Sequence, residues 1–135
     1  MKSPAEIIQI MLDNDAYSNW LGVNVELIEP GRCTLSCTVH ESMLNGFGIA
    51  HGGITYALSD SALAFAANSH GQQCVSIETS ISHIKPVLSG DKLNVRCEEI
   101  QRGKTIGRYT VEIYNQHDQL VSLFNGTVFR NEKTW

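Results

Sequence analysis

Between Asn45 and Gly53 the chain reads NGFGIAHGG, and a run of small and apolar residues, ITYALSDSALAFAA, follows from Ile54 to Ala67. Asp60 is the only charged residue of that run. A carboxylate among Ala, Leu and Phe is costly unless something pairs it or uses it. A glycine pair just ahead of the run lets backbone approach a ligand closely. Amides at a helix start stabilise a developing oxyanion, and an acid further along supplies a base or a nucleophile, so this equipment suits carbonyl chemistry. Nine positions separate His51 from Asp60, which is roughly 13 Å along a helix rising about 1.5 Å per residue. The two groups cannot meet around one carbonyl within a subunit, so the spacing favours a site shared between two copies of the chain. Burial of Asp60 is expected to raise its pKa and strengthen it as a base.

The elements that must hold these residues belong to a chain of 135 residues, the size of one domain, 1–135, with one core. A net charge of -4 with scattered Lys and Arg argues against nucleic acid or an anionic membrane as partner. No stretch approaches the roughly 20 apolar residues of a membrane span. The opening MKSPAEIIQIMLDNDAYSNW carries acids and is not read as a signal peptide. Cys33, Cys37, Cys74 and Cys97 form no CxxC pair and no metal-ligand spacing with His. They read as buried free thiols of a cytoplasmic protein, and no metal or cofactor is expected.

Ser3-Pro4-Ala5-Glu6 has the form of a capped helix start, and Ile7, Ile8, Met11 and Leu12 continue it at helical spacing to an expected end near Trp20 to Gly22. Val23, Val25 and Leu27 alternate as a short strand, and Pro30-Gly31 marks a turn. Cys33, Leu35, Cys37 and Val39 share one face of a second strand, Arg32 to His40. Residues 41–50 read as a loop. From Gly53 to Ser69 a helix apolar on nearly every side is expected, with Gly71 as terminator. Four strands follow, at about Cys74 to Ile84, Lys92 to Ile100, Thr105 to Asn115 and Leu120 to Phe129, the last three joined by hairpin-length breaks. One apolar helix among six strands predicts an α+β fold in which a curved antiparallel sheet wraps a long central helix.

This order resembles the hotdog-fold acyl-CoA thioesterases, and in particular the phenylacetate-degradation (PaaI) group. The resemblance covers nearly the whole chain. Its markers are Met43-Leu44-Asn45-Gly46, His51-Gly52-Gly53, Ser59-Asp60, Lys85-Pro86 and Gly90-Asp91. It implies that the Gly52 amide, with Gly53, polarises a thioester carbonyl. It implies further that Asp60 acts as general base or nucleophile, that Asn45 places water or substrate, and that His51 stands beside the carbonyl. Asp60 would then serve the pocket holding its partner's Gly52, in a homodimer that assembles to a homotetramer. Lys85 stands where Arg is common in the group, and His83 where the group often has an apolar or aromatic residue. The expected substrate is an aryl- or medium-chain acyl-CoA, hydrolysed without metal or cofactor. A hotdog acyl-CoA hydratase or dehydratase, and a non-catalytic acyl-CoA-binding protein, are the rival readings.

Each residue also has a structural reading. Asp60 could be paired by a buried Lys or Arg. His51 could cap the helix, Gly52 and Gly53 could serve a tight turn, and Asn45-Gly46 is a common turn pair. Ser61 could touch substrate or bond its own backbone. Lys85, Arg102 and Lys104, with Pro86, are candidates for the coenzyme A phosphates as a set, and ordinary solvated charges singly.

Overall fold

A computed structural model describes residues 1–135. Ser3 opens helix α1 (Pro4–Asp13): its Oγ accepts from the Glu6 amide at 3.2 Å, and the Glu6 carboxylate accepts from the Ser3 amide at 2.7 Å. The single helix expected from Ser3 to about Trp20 is in fact two. Asn14 ends α1 and donates from Nδ2 to the Ile10 carbonyl at 3.0 Å. Asp15 starts α2 (Ala16–Leu21) by accepting from the Ser18 amide at 2.9 Å. Asn and Asp side chains bond nearby backbone in competition with the helix ladder, so an Asn-Asp pair makes a local break. Gly22, at φ +76°, turns the chain out of α2.

Six strands follow: β1 (Asn24–Glu29), β2 (Arg32–Thr38), β3 (Gln72–His83), β4 (Lys92–Arg102), β5 (Ile106–Tyr114) and β6 (Leu120–Thr134). The long helix α3 (Gly52–Asn68) lies between β2 and β3 in sequence. The strands form one sheet in the order β1-β2-β4-β5-β6-β3, every pair antiparallel. This is the hotdog arrangement expected from the sequence. Strand β6 runs past its expected end at Phe129, because Arg130 and Thr134 pair with Cys74 and Gln72 of β3. A turn of 3-10 helix at Glu41–Met43 and a bridge between Leu44 and Ala50 give structure to the expected loop.

Alternation along the strands decides what meets α3. Cys33, Leu35 and Cys37 of β2, Val95 and Cys97 of β4, Val111 and Ile113 of β5, and Phe124 and Val128 of β6 are all buried. They close on Leu58, Ala62, Leu63, Phe65 and Ala66 of the helix, and each large side chain removed from water contributes about 1.5–3 kcal/mol. The alanines let the helix lie close to the sheet. At Gly126 there is no room for a side chain: a β-carbon there would stand 2.5 Å from Leu63 Cδ2. All four cysteines are buried and unpaired. No helix is long and apolar enough to cross a membrane.

Candidate active site

The entry to α3 is held from three sides. The His51 amide bonds the Met43 carbonyl at 2.8 Å, the Ala50 amide bonds Val87 at 2.7 Å, and the Asn45 amide bonds Ile49 at 2.7 Å. His51 is the N-cap of α3 in extended backbone, φ -58° and ψ 138°. Its Nδ1 accepts from the Gly53 amide at 2.9 Å, which assigns the ring proton to Nε2 and makes the imidazole neutral. The Ile54 amide bonds the His51 carbonyl at 2.9 Å. The Gly53 and Ile54 amides are thereby engaged, whereas the Gly52 N–H opens the helix with no acceptor in the subunit. The two-amide expectation thus resolves to one free donor, with His51 holding Gly53.

Gly52 itself lines a pocket of about 320 Å³, with Asn45, Thr55, His83, Lys85, Pro86 and the apolar Ile49, Val87 and Val121. Asn45 Oδ1 accepts from the Phe47 amide at 2.9 Å and the Ile49 amide at 3.4 Å, which shapes the loop and leaves Nδ2 to donate. Lys85 and Pro86 leave the end of β3, where the Ile84 and Lys85 amides share the Val121 carbonyl at 2.8 and 3.2 Å.

Asp60 lies elsewhere in the subunit. It lines a second pocket, of about 230 Å³, with Leu63, Ala64, Cys74, Val75, Ser76 and Val128. Its carboxyl is held above the ordinary carboxylate range, first by burial and then by the neighbouring charge of Asp15. No Lys or Arg pairs with it, so the reading of Asp60 as half of a buried ion pair is set aside.

The comparisons with known proteins match this architecture. The model of the thioesterase superfamily matches residues 47–122, from the loop before α3 into β6. The chain belongs to the thioesterase superfamily. It is 36% identical over 120 residues, 89% of this chain and 86% of the relative, to a protein named acyl-coenzyme A thioesterase PaaI of Escherichia coli. The solved structure of the E. coli PaaI protein, from the phenylacetic acid degradation operon, covers 97% of this chain and 95% of its own at a TM-score of 0.94 and 34% identity. A hypothetical thioesterase of Streptococcus pneumoniae, solved with coenzyme A, covers 93% of this chain and 98% of its own at a TM-score of 0.88 and 27% identity.

Among the residues that the thioesterase resemblance singled out, the structure brings Asn45, Gly52, Lys85 and Pro86 to one pocket. His51 and Gly53 flank it as cap and capped amide. Within one subunit the remaining basic residues lie apart from Lys85. Arg102 lines a pocket with His70, Gln72 and Trp135 at the opposite end of the sheet, and Lys104 sits in the turn between β4 and β5. Ser61 bonds Ser18 Oγ at 2.8 Å, and Ser18 Oγ donates to Asp15 Oδ2 at 2.6 Å, so Ser61 faces α2 rather than either pocket. Three polar site-lining residues carry no functional signal in the sequence: Thr55 and His83 beside Gly52, and Ser76 beside Asp60. Inward alternation along β3 points to Ser76 and His83, but a bulge between Ser76 and Glu78 shifts the phase between the two.

Proposed function

We propose that this chain hydrolyses the thioester of an aryl- or medium-chain acyl-CoA to free coenzyme A and a carboxylic acid, in a site completed by a second copy of the chain. The observation that carries the reading is the unengaged amide of Gly52 at the head of α3, a residue that lines one pocket with the Asn45 donor. A thioester oxygen set against Gly52 N–H gains charge as the carbonyl carbon is attacked, and a preorganised amide stabilises it without rearranging. Asp60 either takes a proton from the attacking water or attacks the carbon itself, and the C–S bond then breaks. Asn45 Nδ2 donates to the water or to the substrate. The relationship to the E. coli acyl-coenzyme A thioesterase, and the coenzyme A in the streptococcal structure, support the substrate class.

Strand β3 supports the shared site. It is the sheet's edge, bonded only to β6, yet it is 12 residues long and shows Val75 and Ile77 at 61% and 57% exposure. Such an edge invites pairing with another strand. The Asp60 pocket lies by Cys74 and Ser76 near one end of β3, and the Gly52 pocket by His83 at the other. Antiparallel pairing of two β3 strands about a two-fold axis brings opposite ends together. Asp60 of one subunit then stands beside Gly52 of the other. Exposed Ile100 and Phe129 on the sheet support a further assembly of dimers into a homotetramer. The unpaired cysteines fit the reducing cytoplasm.

Thiol release from phenylacetyl-, hydroxybenzoyl-, hexanoyl- and palmitoyl-CoA tests the proposal. Release is expected, fastest with an aryl or hexanoyl group. Binding without release from any of the four would move the weight to a binding protein or a hydratase.

Asp15 gives the proposal a pH signature. Asp60 works only when ionised, and burial with the Asp15 charge raises its pKa, so activity is lost as pH falls through a value above the ordinary carboxylate range. Asp15→Asn keeps an N-cap for α2 and removes one charge. The acid limb of the kcat/KM profile is expected to move to lower pH. A limb that stays in place would assign it to a group other than Asp60.

A further inference from the structure

We propose that His83 is a catalytic residue of this site: its Nε2 gives a proton to the coenzyme A sulfur as the C–S bond breaks. The inference rests on the hydrolysis proposed above at the Gly52 amide. His83 is the last residue of β3 and pairs across the sheet with Ser122. Its ring lies against the head of α3, where a β-carbon at Gly52 would stand 3.1 Å from Nε2 and 3.3 Å from Cε1. Gly52 and His83 line the same pocket, so a thioester held at the head of α3 lies within reach of this ring.

The hydrogen bonds around the ring suit proton transfer. Buried Thr55 donates from Oγ1 to the Gly52 carbonyl at 3.2 Å. That oxygen is then free only to accept, and His83 Nδ1 lies 3.4 Å from it. Nδ1 therefore keeps its proton, and Nε2 is the nitrogen that gains and loses one. A ring anchored through one nitrogen holds its orientation while the other cycles, which is how a histidine serves as acid or base. The other polar groups lining the pocket are less suited. Asn45 and the Gly52 amide have no proton to give, and the Lys85 ammonium makes no hydrogen bond that would aim it.

The step balances. Water oxygen bonds the carbonyl carbon and its proton passes to the Asp60 carboxylate. The C–S electron pair leaves on sulfur, which takes the proton from His83 Nε2. Asp60 and His83 then exchange protons with water, and the net products are carboxylate, thiol and one proton. If Asp60 attacks as nucleophile, the C–S cleavage and the His83 step are the same.

A leaving-group comparison tests this role. An alkyl thiolate such as that of coenzyme A needs the proton far more than an aromatic thiolate does. His83→Gln is expected to lower kcat/KM about 100-fold for phenylacetyl-CoA and for the phenylacetyl thioester of N-acetylcysteamine, and no more than about threefold for the 4-nitrothiophenol thioester. Thr55→Val, which releases the ring without removing it, should show a smaller loss with the same selectivity. Equal losses on alkyl and aryl thioesters would make His83 a pocket wall and overturn the proposal, as would no loss on either. Wild-type protein inert toward all four acyl-CoAs would instead sink the hydrolysis reading itself.

Discussion

Asp60→Asn is expected to lose about 1,000-fold in kcat while keeping its affinity for coenzyme A. Asparagine has the same shape but can neither take a proton from water nor attack a carbonyl, so both roles open to Asp60 end together. Affinity stays because the Gly52 pocket is built from other residues. The same substitution is expected to raise Tm at neutral pH. Burial and Asp15 hold the Asp60 carboxyl above its ordinary range, and no cation offsets this, so its ionised form opposes folding. The gain is greatest where wild-type Asp60 is ionised and fades as pH falls into the ordinary carboxylate range. Stability given up at a working site is a common exchange. Thiol-release kinetics, coenzyme A titration and melting curves at several pH values check all three parts. Near-normal turnover would remove Asp60 from the chemistry.

Gly52→Pro is expected to lose 100-fold or more in kcat, the usual effect of deleting one oxyanion donor. Proline deletes the amide hydrogen at the one helical position that tolerates it, the first. His51 already has the extended backbone that a residue before proline requires. The new β-carbon also meets His83 at 3.1 Å, and Gly52→Ala separates that effect, since alanine brings the same carbon and keeps the N–H. The proline variant should fall well below the alanine variant, and equal losses would dismiss the amide. Mixing the two inactive proteins then tests the shared site. A dimer of one Asp60→Asn and one Gly52→Pro subunit contains one site with both defects and one intact. Recovered turnover on subunit exchange supports a site across the dimer, and none at all would place Asp60 and Gly52 in separate roles.

Much of the fold was legible because its signals are local. The Ser3-Pro4-Glu6 cap, the alternation of Cys33, Leu35 and Cys37, and the all-round apolar character of Ile54 to Ala67 each report one element from its own residues. Periodicity alone makes the first helix continuous through Asn14-Asp15, where side-chain bonds to backbone override it. The end of β6 was placed early because pairing with β3, not the composition of Asn131 to Thr134, carries the strand onward.

By itself the sequence determined the order of elements, the helix-start glycines and the solitary acid nine residues beyond His51, with the inference that His51 and Asp60 cannot meet in one chain. Only the tertiary structure decided that Gly52 keeps the free amide, that within the subunit Lys85 joins it while Arg102 and Lys104 do not, and that His83 lines the pocket. The division has a physical cause. Periodicity and caps arise between residues a few positions apart, whereas a pocket depends on which remote segments the sheet register brings together, and here that register lays the end of β3 across the first turn of α3.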